Sequence, residues 1–258
     1  MRFSAASSSR RNRRKAMSEI GCRMTRELKI LPSMCDGASH LSIPAALDMF
    51  QDTATLHADN FDIGPEGMNR RKYFWIITKI RIHINRMPEM MENVCANTWI
   101  QAAERASCER DFSITKGDEV LVYVRSIWAV ISRETGKLVH IAGLYPELEF
   151  DQAPPDDRPF LRLSKKYDDA EEAGQYTIRS VDIDLAGHMN NVNYVRAMLG
   201  CYDSKELKMM DIHEIELNYI SQSYEGNTLR FVTRQAEDGL EVGAIGPEGK
   251  AVFAAKII

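Results

Sequence analysis

From about residue 40 onward, the apolar and polar positions follow one order twice: a helix, then long strands. Ser42-Ile43-Pro44 opens the first helix. Ser caps free N–H groups there, and Pro is tolerated in a first helical turn. Leu47, Phe50, Ala54 and Phe61 follow at spacings close to one helical turn, which predicts a single apolar stripe. Gly64-Pro65 is expected to stop the helix. The stretch from Tyr73 to Asn85, YFWIITKIRIHIN, is β-branched and aromatic with alternation at Ile80, Ile82 and Ile84, the signature of a strand. Further strands are expected over 92–101, 107–115 and 120–132, with tight turns at Lys116-Gly117-Asp118 and Glu134-Thr135-Gly136-Lys137. One helix against long antiparallel strands is an α+β layer pattern.

The second half repeats that order. A strand near 175–181 leads into a polar loop, and a helix from about Asn191 places Val192, Val195, Leu199 and Tyr202 on one face. Strands follow near 213–223 and 228–235, and a hairpin through Gly246-Pro247-Glu248-Gly249 leads into 251–258. Between the halves, 145–175 holds Pro146, Pro154, Pro155, Pro159 and many acids, which reads as a linker. The expected organisation is a tail over 1–24, an N-terminal domain over 25–144, a linker over 145–174 and a C-terminal domain over 175–258. The halves share little residue-level identity, so the repeat lies in the order of elements.

Composition narrows the function classes. The chain has 258 residues, enough for each half to bury a core. The net charge is −4, and residues 1–16 carry six bases (Arg2, Arg10, Arg11, Arg13, Arg14, Lys15) with no acid, which leaves −10 for the rest. A body that acidic argues against nucleic acid as the main partner. No apolar run approaches the roughly 18 residues of a membrane span. The Ser- and Arg-rich start has two readings: an over-extended start with Met17 or Met24 as the true beginning, or part of an organelle transit peptide. Five widely spaced cysteines without a CxxC pair point to reduced thiols in a cytosol-like compartment and no structural zinc. A cytoplasmic location is therefore expected, with a plastid as the alternative if the basic tail is a transit peptide.

The candidate chemistry lies in Val181-Asp-Ile-Asp-Leu-Ala-Gly-His-Met-Asn-Asn-Val-Asn-Tyr194. Carboxylates, a His and side-chain amides sit between a strand and a helix. Gly187 permits a sharp turn, and Asn190 or Asn191 can cap the helix. The helix aims N–H groups and partial positive charge at its own start. Such an arrangement suits attack of water on a thioester: Asp184 to orient or deprotonate the water, His188 and helix N–H groups to hold the oxyanion. The leaving thiol needs no strong acid. The bland alternative is a capped turn with solvated acids.

Val181–Tyr194 resembles the signature of plant and bacterial acyl-acyl-carrier-protein (acyl-ACP) thioesterases, Asp-x-Asn-x-His-x-Asn-Asn ahead of a hot-dog helix. Phe74-Trp-Ile-Ile-Thr-Lys-Ile-Arg-Ile82 resembles the family's first long strand. Asn97-Thr-Trp-Ile100, Ser126-Ile-Trp-Ala-Val-Ile-Ser132 and Glu216-Leu-Asn-Tyr219 resemble further strand motifs, in the family's order, from about Leu41 to the C-terminus. The resemblance implies two tandem hot-dog domains, the first shaping an acyl pocket and the second carrying the catalytic loop. It implies hydrolysis of fatty acyl-ACP to free fatty acid and carrier, without cofactor or metal. Asp184 and His188 fall on the family's catalytic positions, and Gln222 and Ser223 on its last ones. Asn190, Asn191 and Trp75 are expected at the substrate.

The chain departs from that pattern at two places. The family's Asn falls on Ala186, which has no polar side chain, and its carboxylate falls on Gln222, which cannot act as a base. Three readings follow: a slow or divergent thioesterase, a decayed or engineered variant, or an acyl or acyl-ACP binding module. An acyl-CoA thioesterase is a further alternative. A hot-dog hydratase is disfavoured, because its Asp and His stand five apart, against four for Asp184–His188 and six for Asp182–His188. His57, on the apolar stripe, is read as a core or pocket-wall residue. Trp75, Trp99 and Trp128 are read as core or tunnel lining, and Met87, Met90 and Met91 as a turn adaptable to lipid. Arg70, Arg71 and Lys72 form the one tight basic cluster of the body, a candidate docking patch for an acidic carrier. A monomer is plausible, since the halves can pair within one chain, and a homodimer remains open.

Overall fold

The computed structural model describes residues 21–101, 106–141, 144 and 156–258. The basic tail and Met17, and the first part of the linker with Pro146, Pro154 and Pro155, lie outside the described residues.

Strand β1 (Arg23–Lys29) leads through a short 3-10 turn to helix α1 (Ile43–Asp59), whose N-cap Ser42 accepts a hydrogen bond from the Ala45 N–H. The sequence pattern did not reveal β1, an edge strand of alternating exposure that starts ahead of the expected boundary at residue 24. Ala46, Leu47, Phe50, Ala54 and His57 are buried along α1, as the stripe requires. Gly64-Pro65 acts differently from its expected role as a stop. Helix α1 has already ended at Asp59, and Pro65 opens a second helix, α2 (Pro65–Arg70). Proline lacks the N–H that a first turn leaves unpaired, so the same residue that breaks a helix also begins one. In α2 a Cβ on Gly67 would lie 2.1 Å from the Asp62 carbonyl oxygen, so only glycine fits that approach.

Strands β2 (Tyr73–Ile84), β3 (Asn93–Ile100), β4 (Ser107–Lys116) and β5 (Glu119–Ser132) follow. The second half runs β6 (Glu171–Thr177), a 3-10 turn at Ser180–Asp182, α3 (Asn191–Leu199), α4 (Ser204–Met209), then β7 (Glu214–Tyr219), β8 (Thr228–Ala236), β9 (Gly239–Ile245) and β10 (Ala251–Ile257). Strand β6 thus begins four residues before the predicted start, inside the expected linker. The ten strands form one antiparallel sheet in the order β1-β3-β4-β5-β2-β7-β10-β9-β8-β6. Each half curls about one helix, the tandem hot-dog arrangement. The halves are joined in the middle, where β2 pairs β7 from Lys79↔Asn218 to His83↔Glu214.

One apolar core runs through both halves. Phe50, Phe112, Phe231 and Phe253 are fully buried in it, each worth about 1.5–3 kcal/mol of burial. The other face of the sheet is covered by the second part of the linker. Arg81 on β2 is buried, donates to Glu216 on β7 through Nε at 2.7 Å and to Asp156 Oδ2 at 3.0 Å. Phe160 sits against Lys79, Arg81 and Arg125, and the Tyr167 hydroxyl donates to Val242 O at 3.1 Å. Residues 156–170 therefore form a strap over the sheet, tied by side chains from both halves.

Candidate active site

The loop between β6 and α3 is organised by its own carboxylates. Asp182 is buried; it accepts from the Tyr176 hydroxyl (3.0 and 2.9 Å) and from the Arg179 N–H (2.8 Å), which makes it a strut of the loop. Asp184 is exposed, and its Oδ1 accepts from the Ala186 N–H at 2.8 Å and the His188 N–H at 3.3 Å. The Asp184 N–H donates back to His188 O at 2.8 Å, and Gly187 takes φ +86° to close the turn. Oδ1 is thus committed to the backbone, while Oδ2 has no protein donor among the described residues.

The same loop geometry occurs in the first half, a local correspondence that the reading of the sequence did not single out. Asp36-Gly-Ala-Ser-His40 stands ahead of α1 as Asp184-Leu-Ala-Gly-His188 stands ahead of α3. Asp36 Oδ1 accepts from Ala38 N–H (2.9 Å) and His40 N–H (3.1 Å), and the Asp36 N–H donates to His40 O at 2.8 Å. Ser39 takes φ +66° where Gly187 takes +86°. Bridges Cys35–Leu41 and Ile183–Met189 close the two loops alike, and Leu41 N–H and Met189 N–H donate to Pro88 O and Ser223 O. The Asp-x-Ala-x-His geometry is therefore a self-supporting turn. What makes the second copy a candidate for chemistry is its surroundings.

Those surroundings come from the first half. A cavity of about 570 Å³ lies between α1, α2, β2, β4, β5 and the loop, within the size range of small-molecule sites. Ala54, Ala58, Ile63, Met68, Trp75 and Trp128 give it apolar walls, with Arg110 also lining it. Trp75 is held by its Nε1–H donating to Ile63 O at 2.8 Å. Asp184, Leu185, Ala186 and Asn190 from the loop, and Phe74 and Arg133, also line the cavity. Trp99 is elsewhere, packed near Tyr123 and beneath Arg23. Met87 packs on the core, whereas Met90 and Met91 are exposed.

His188 sits beside the Phe74 ring (centroids 6.1 Å) and edge-on to Tyr224 (5.2 Å). Burial pulls its pKa below the ordinary imidazole value and the Arg133 charge acts the same way, against the opposing pull of Asp184. The imidazole is thereby kept neutral near pH 7, with one N–H donor and one acceptor nitrogen. Asn190 is the cap: its Oδ1 accepts from Val192 N–H at 2.8 Å, and its carbonyl accepts from Asn193 N–H at 2.9 Å. Of the first-turn donors, these caps leave the Asn191 N–H untaken; the Asn191 carbonyl accepts from the Tyr219 hydroxyl at 3.1 Å.

The remaining expected residues are placed less centrally. Gln222 is exposed and is not part of the cavity wall. Ser223 is buried, and the Tyr194 phenol lies against it. Arg70 and Arg71 both pair with Asp62, and Arg71 also donates to Gly67 O at 2.7 Å. Lys72 pairs with Glu134 at 2.9 Å. The basic cluster is thus largely spent on neighbouring acids. Phe74, Arg133, Leu185 and Tyr224 were not singled out from sequence. Phe74 and Arg133 flank recognisable strand motifs, but only the pairing of β2 with β5 brings them to one mouth. Among the described residues no group of three or more His, Cys, Asp or Glu side chains is gathered as a metal site.

The profile of the acyl-ACP thioesterase N-terminal domain matches residues 21–146, and that of the acyl-ACP thioesterase C-terminal domain matches 165–245. An acyl-[acyl-carrier-protein] hydrolase, chloroplastic, of Cuphea viscosissima is 28% identical over 208 residues, covering 74% of this chain and 50% of that protein. A palmitoyl-acyl carrier protein thioesterase, chloroplastic, of Cuphea hookeriana is 28% identical over 77% of this chain and 51% of its own length. The chain spans about half the length of these curated relatives. Among solved structures, an acyl-ACP thioesterase from Bacteroides thetaiotaomicron superposes with a TM-score of 0.82 at 24% identity, covering 92% of this chain and 97% of that one. A 12:0-ACP thioesterase from Umbellularia californica gives 0.76 at 20% identity, over 92% and 96%. These two likenesses establish the fold.

Proposed function

The chain belongs to the acyl-ACP thioesterase family, and from that premise we propose that it hydrolyses the thioester of a fatty acyl-carrier protein to free fatty acid and carrier. The observation that carries this reading is the cavity: an apolar chamber in one half that opens on the Asp184–His188 loop of the other. Its walls suit an acyl chain, and a chain bound there would bring its thioester to the loop residues that share the lining.

In the proposed reaction, water held by Asp184 Oδ2 attacks the thioester carbon. Asp184 takes one proton from the water as the new C–O bond forms, and the carbonyl π pair moves onto oxygen. The neutral His188 and the untaken Asn191 N–H are the loop's donors to that oxygen. Collapse of the intermediate expels the C–S electron pair as thiolate, and the proton held on Asp184 passes to sulfur. A thiol leaves readily as thiolate, so Asp184 alone suffices to handle the proton, and Gln222, exposed and away from the cavity, is not required as a base. Asp182, buried and accepting from the Tyr176 hydroxyl and the Arg179 N–H, serves to position the loop.

Arg70, Arg71 and Lys72 keep a place in this reading only as a weakened carrier-docking patch, because each is already paired. The relatives are named as chloroplastic, which fits the plastid reading of the basic tail better than the cytoplasmic one.

The test is release of free thiol from a panel of medium- and long-chain acyl-ACP substrates. Asp184→Asn should lower kcat by about 10²–10⁴-fold. Wild-type rates no higher than those of Asp184→Asn and His188→Ala would remove the reading and leave an acyl-binding module. Turnover of acyl-CoA at rates matching acyl-ACP would reassign the carrier while keeping the chemistry.

A further inference from the structure

Arg133 follows β5 directly, and its backbone N–H donates to Lys72 O at 2.8 Å, which fixes where the side chain starts. Its guanidinium lies over the Phe74 ring, 5.1 Å from the centroid, and Phe74 in turn lies beside His188. A guanidinium stacked on a ring keeps the N–H groups on its edge available, in a planar fork that matches a carboxylate. The neighbouring bases differ. Arg70 and Arg71 are taken by Asp62, and Lys72 by Glu134. Arg133 is exposed, lines the same cavity as Asp184, and has no carboxylate partner among the described residues.

An arginine held open at the mouth of a reaction chamber is set to meet an anion. Four anions meet this site in the proposed reaction: the oxyanion of the intermediate, the leaving thiolate, which takes its proton from Asp184, the carboxylate of the product, and the phosphate at the far end of the carrier's pantetheine arm. The last is separated from the reacting carbon by the length of that arm. Arg133 stands close enough to the loop for its charge to act on His188. On the loop side of the cavity Ala186 presents only a methyl group, so the loop offers few donors of its own.

We propose that Arg133 is a further catalytic residue of this site, the donor that takes up negative charge forming on the thioester carbonyl oxygen and afterwards carried by the carboxylate product. The inference rests on the hydrolase reading given above. The released acid ionises to its carboxylate, and that group faces Arg133 from the place the thioester occupied. One half of the chain then supplies the water-activating carboxylate and the other supplies the charge that meets the oxyanion.

The experiment compares the full chain with Arg133→Met and Arg133→Lys, using the acyl-ACP that wild type turns over fastest, and titrates each protein with sodium laurate. Arg133→Met should lower kcat about ten- to a hundredfold with KM little changed, and weaken laurate binding about tenfold. Arg133→Lys should restore part of both, since it keeps the charge but loses the fork. A rise in KM at unchanged kcat and unchanged laurate binding would assign Arg133 to the carrier arm and overturn the proposal, as would no change in either quantity. If wild type turns over no acyl-ACP, the hydrolase reading fails by itself. The laurate titration then still decides whether Arg133 holds a carboxylate.

Discussion

Protonation of His57 should couple the stability of the first half to pH. His57 is fully buried on α1. Its Nδ1 faces the Arg110 guanidinium at 3.0 Å and therefore accepts, so the proton of the neutral ring is on Nε2, 3.3 Å from Gly21 O. A second proton would sit on Nδ1 against a positive charge in a desolvated site. Burial first, and Arg110 second, push the pKa down from 6.5 to about 4. Because the folded-state pKa lies below the unfolded one, the contribution is complete above about pH 6.5 and is lost as pH falls towards 4. Each unit is worth about 1.4 kcal/mol, so the full loss is about 3 kcal/mol, with about 2 kcal/mol gone by pH 5. Glu92, held down to about 2 mainly by its bond to Arg86, begins to contribute a loss only as pH falls through the ordinary carboxylate range; His188, also lowered by burial, loses stability in the same window as His57, so the difference between wild type and His57→Gln isolates the His57 share. Urea denaturation of wild type and His57→Gln across pH 7.5–4.5, a range chosen about these pKa values, is the assay. Wild type should lose about 2 kcal/mol more than the variant between pH 7 and pH 5. Parallel curves for the two proteins would refute the assignment of a neutral, arginine-facing His57.

Two further predictions concern the scaffold. Asp36→Ala removes two loop hydrogen bonds in the first half and should cost about 1–3 kcal/mol in denaturation while leaving thioester turnover unchanged, since that loop faces no part of the acyl cavity; lost turnover at full folding would show that the two loops are not functionally distinct. Arg81→Met strands Glu216 without its buried partner at the β2–β7 seam and should destabilise by about 3–5 kcal/mol, read as a lowered denaturation midpoint, whereas a loss under about 1 kcal/mol would mean that the strap and the seam do not depend on that pair.

Much of the fold was legible because its signals are local. The cap at Ser42, the alternation across Ile80, Ile82 and Ile84, and the polar loop before α3 each reside within a few residues, where periodicity and backbone chemistry act directly. The edge strand β1 escaped because an edge position buries only one side at alternate residues. The double role of Pro65 escaped because proline's missing N–H suits both a stop and a start. The correspondence of Asp36–His40 with Asp184–His188 was present in the sequence throughout. It became meaningful only when both loops were found to make the same backbone hydrogen bonds.

The sequence by itself determined the order of helices and strands, the acyl-ACP thioesterase resemblance and the Asp184–His188 loop, because these are written in contiguous residues. Tertiary structure alone decided that the loop opens on a chamber from the other half. It also decided that Arg70, Arg71 and Lys72 are already paired, that Gln222 is exposed and not in the cavity wall, and that Phe74 and Tyr224 lie beside His188 with Arg133 over Phe74. Those outcomes depend on which strands are neighbours in a ten-stranded sheet. Pairing between strands distant in the chain, Tyr73↔Ser132 within the first half and Lys79↔Asn218 across the halves, sets that adjacency, and no local pattern encodes it.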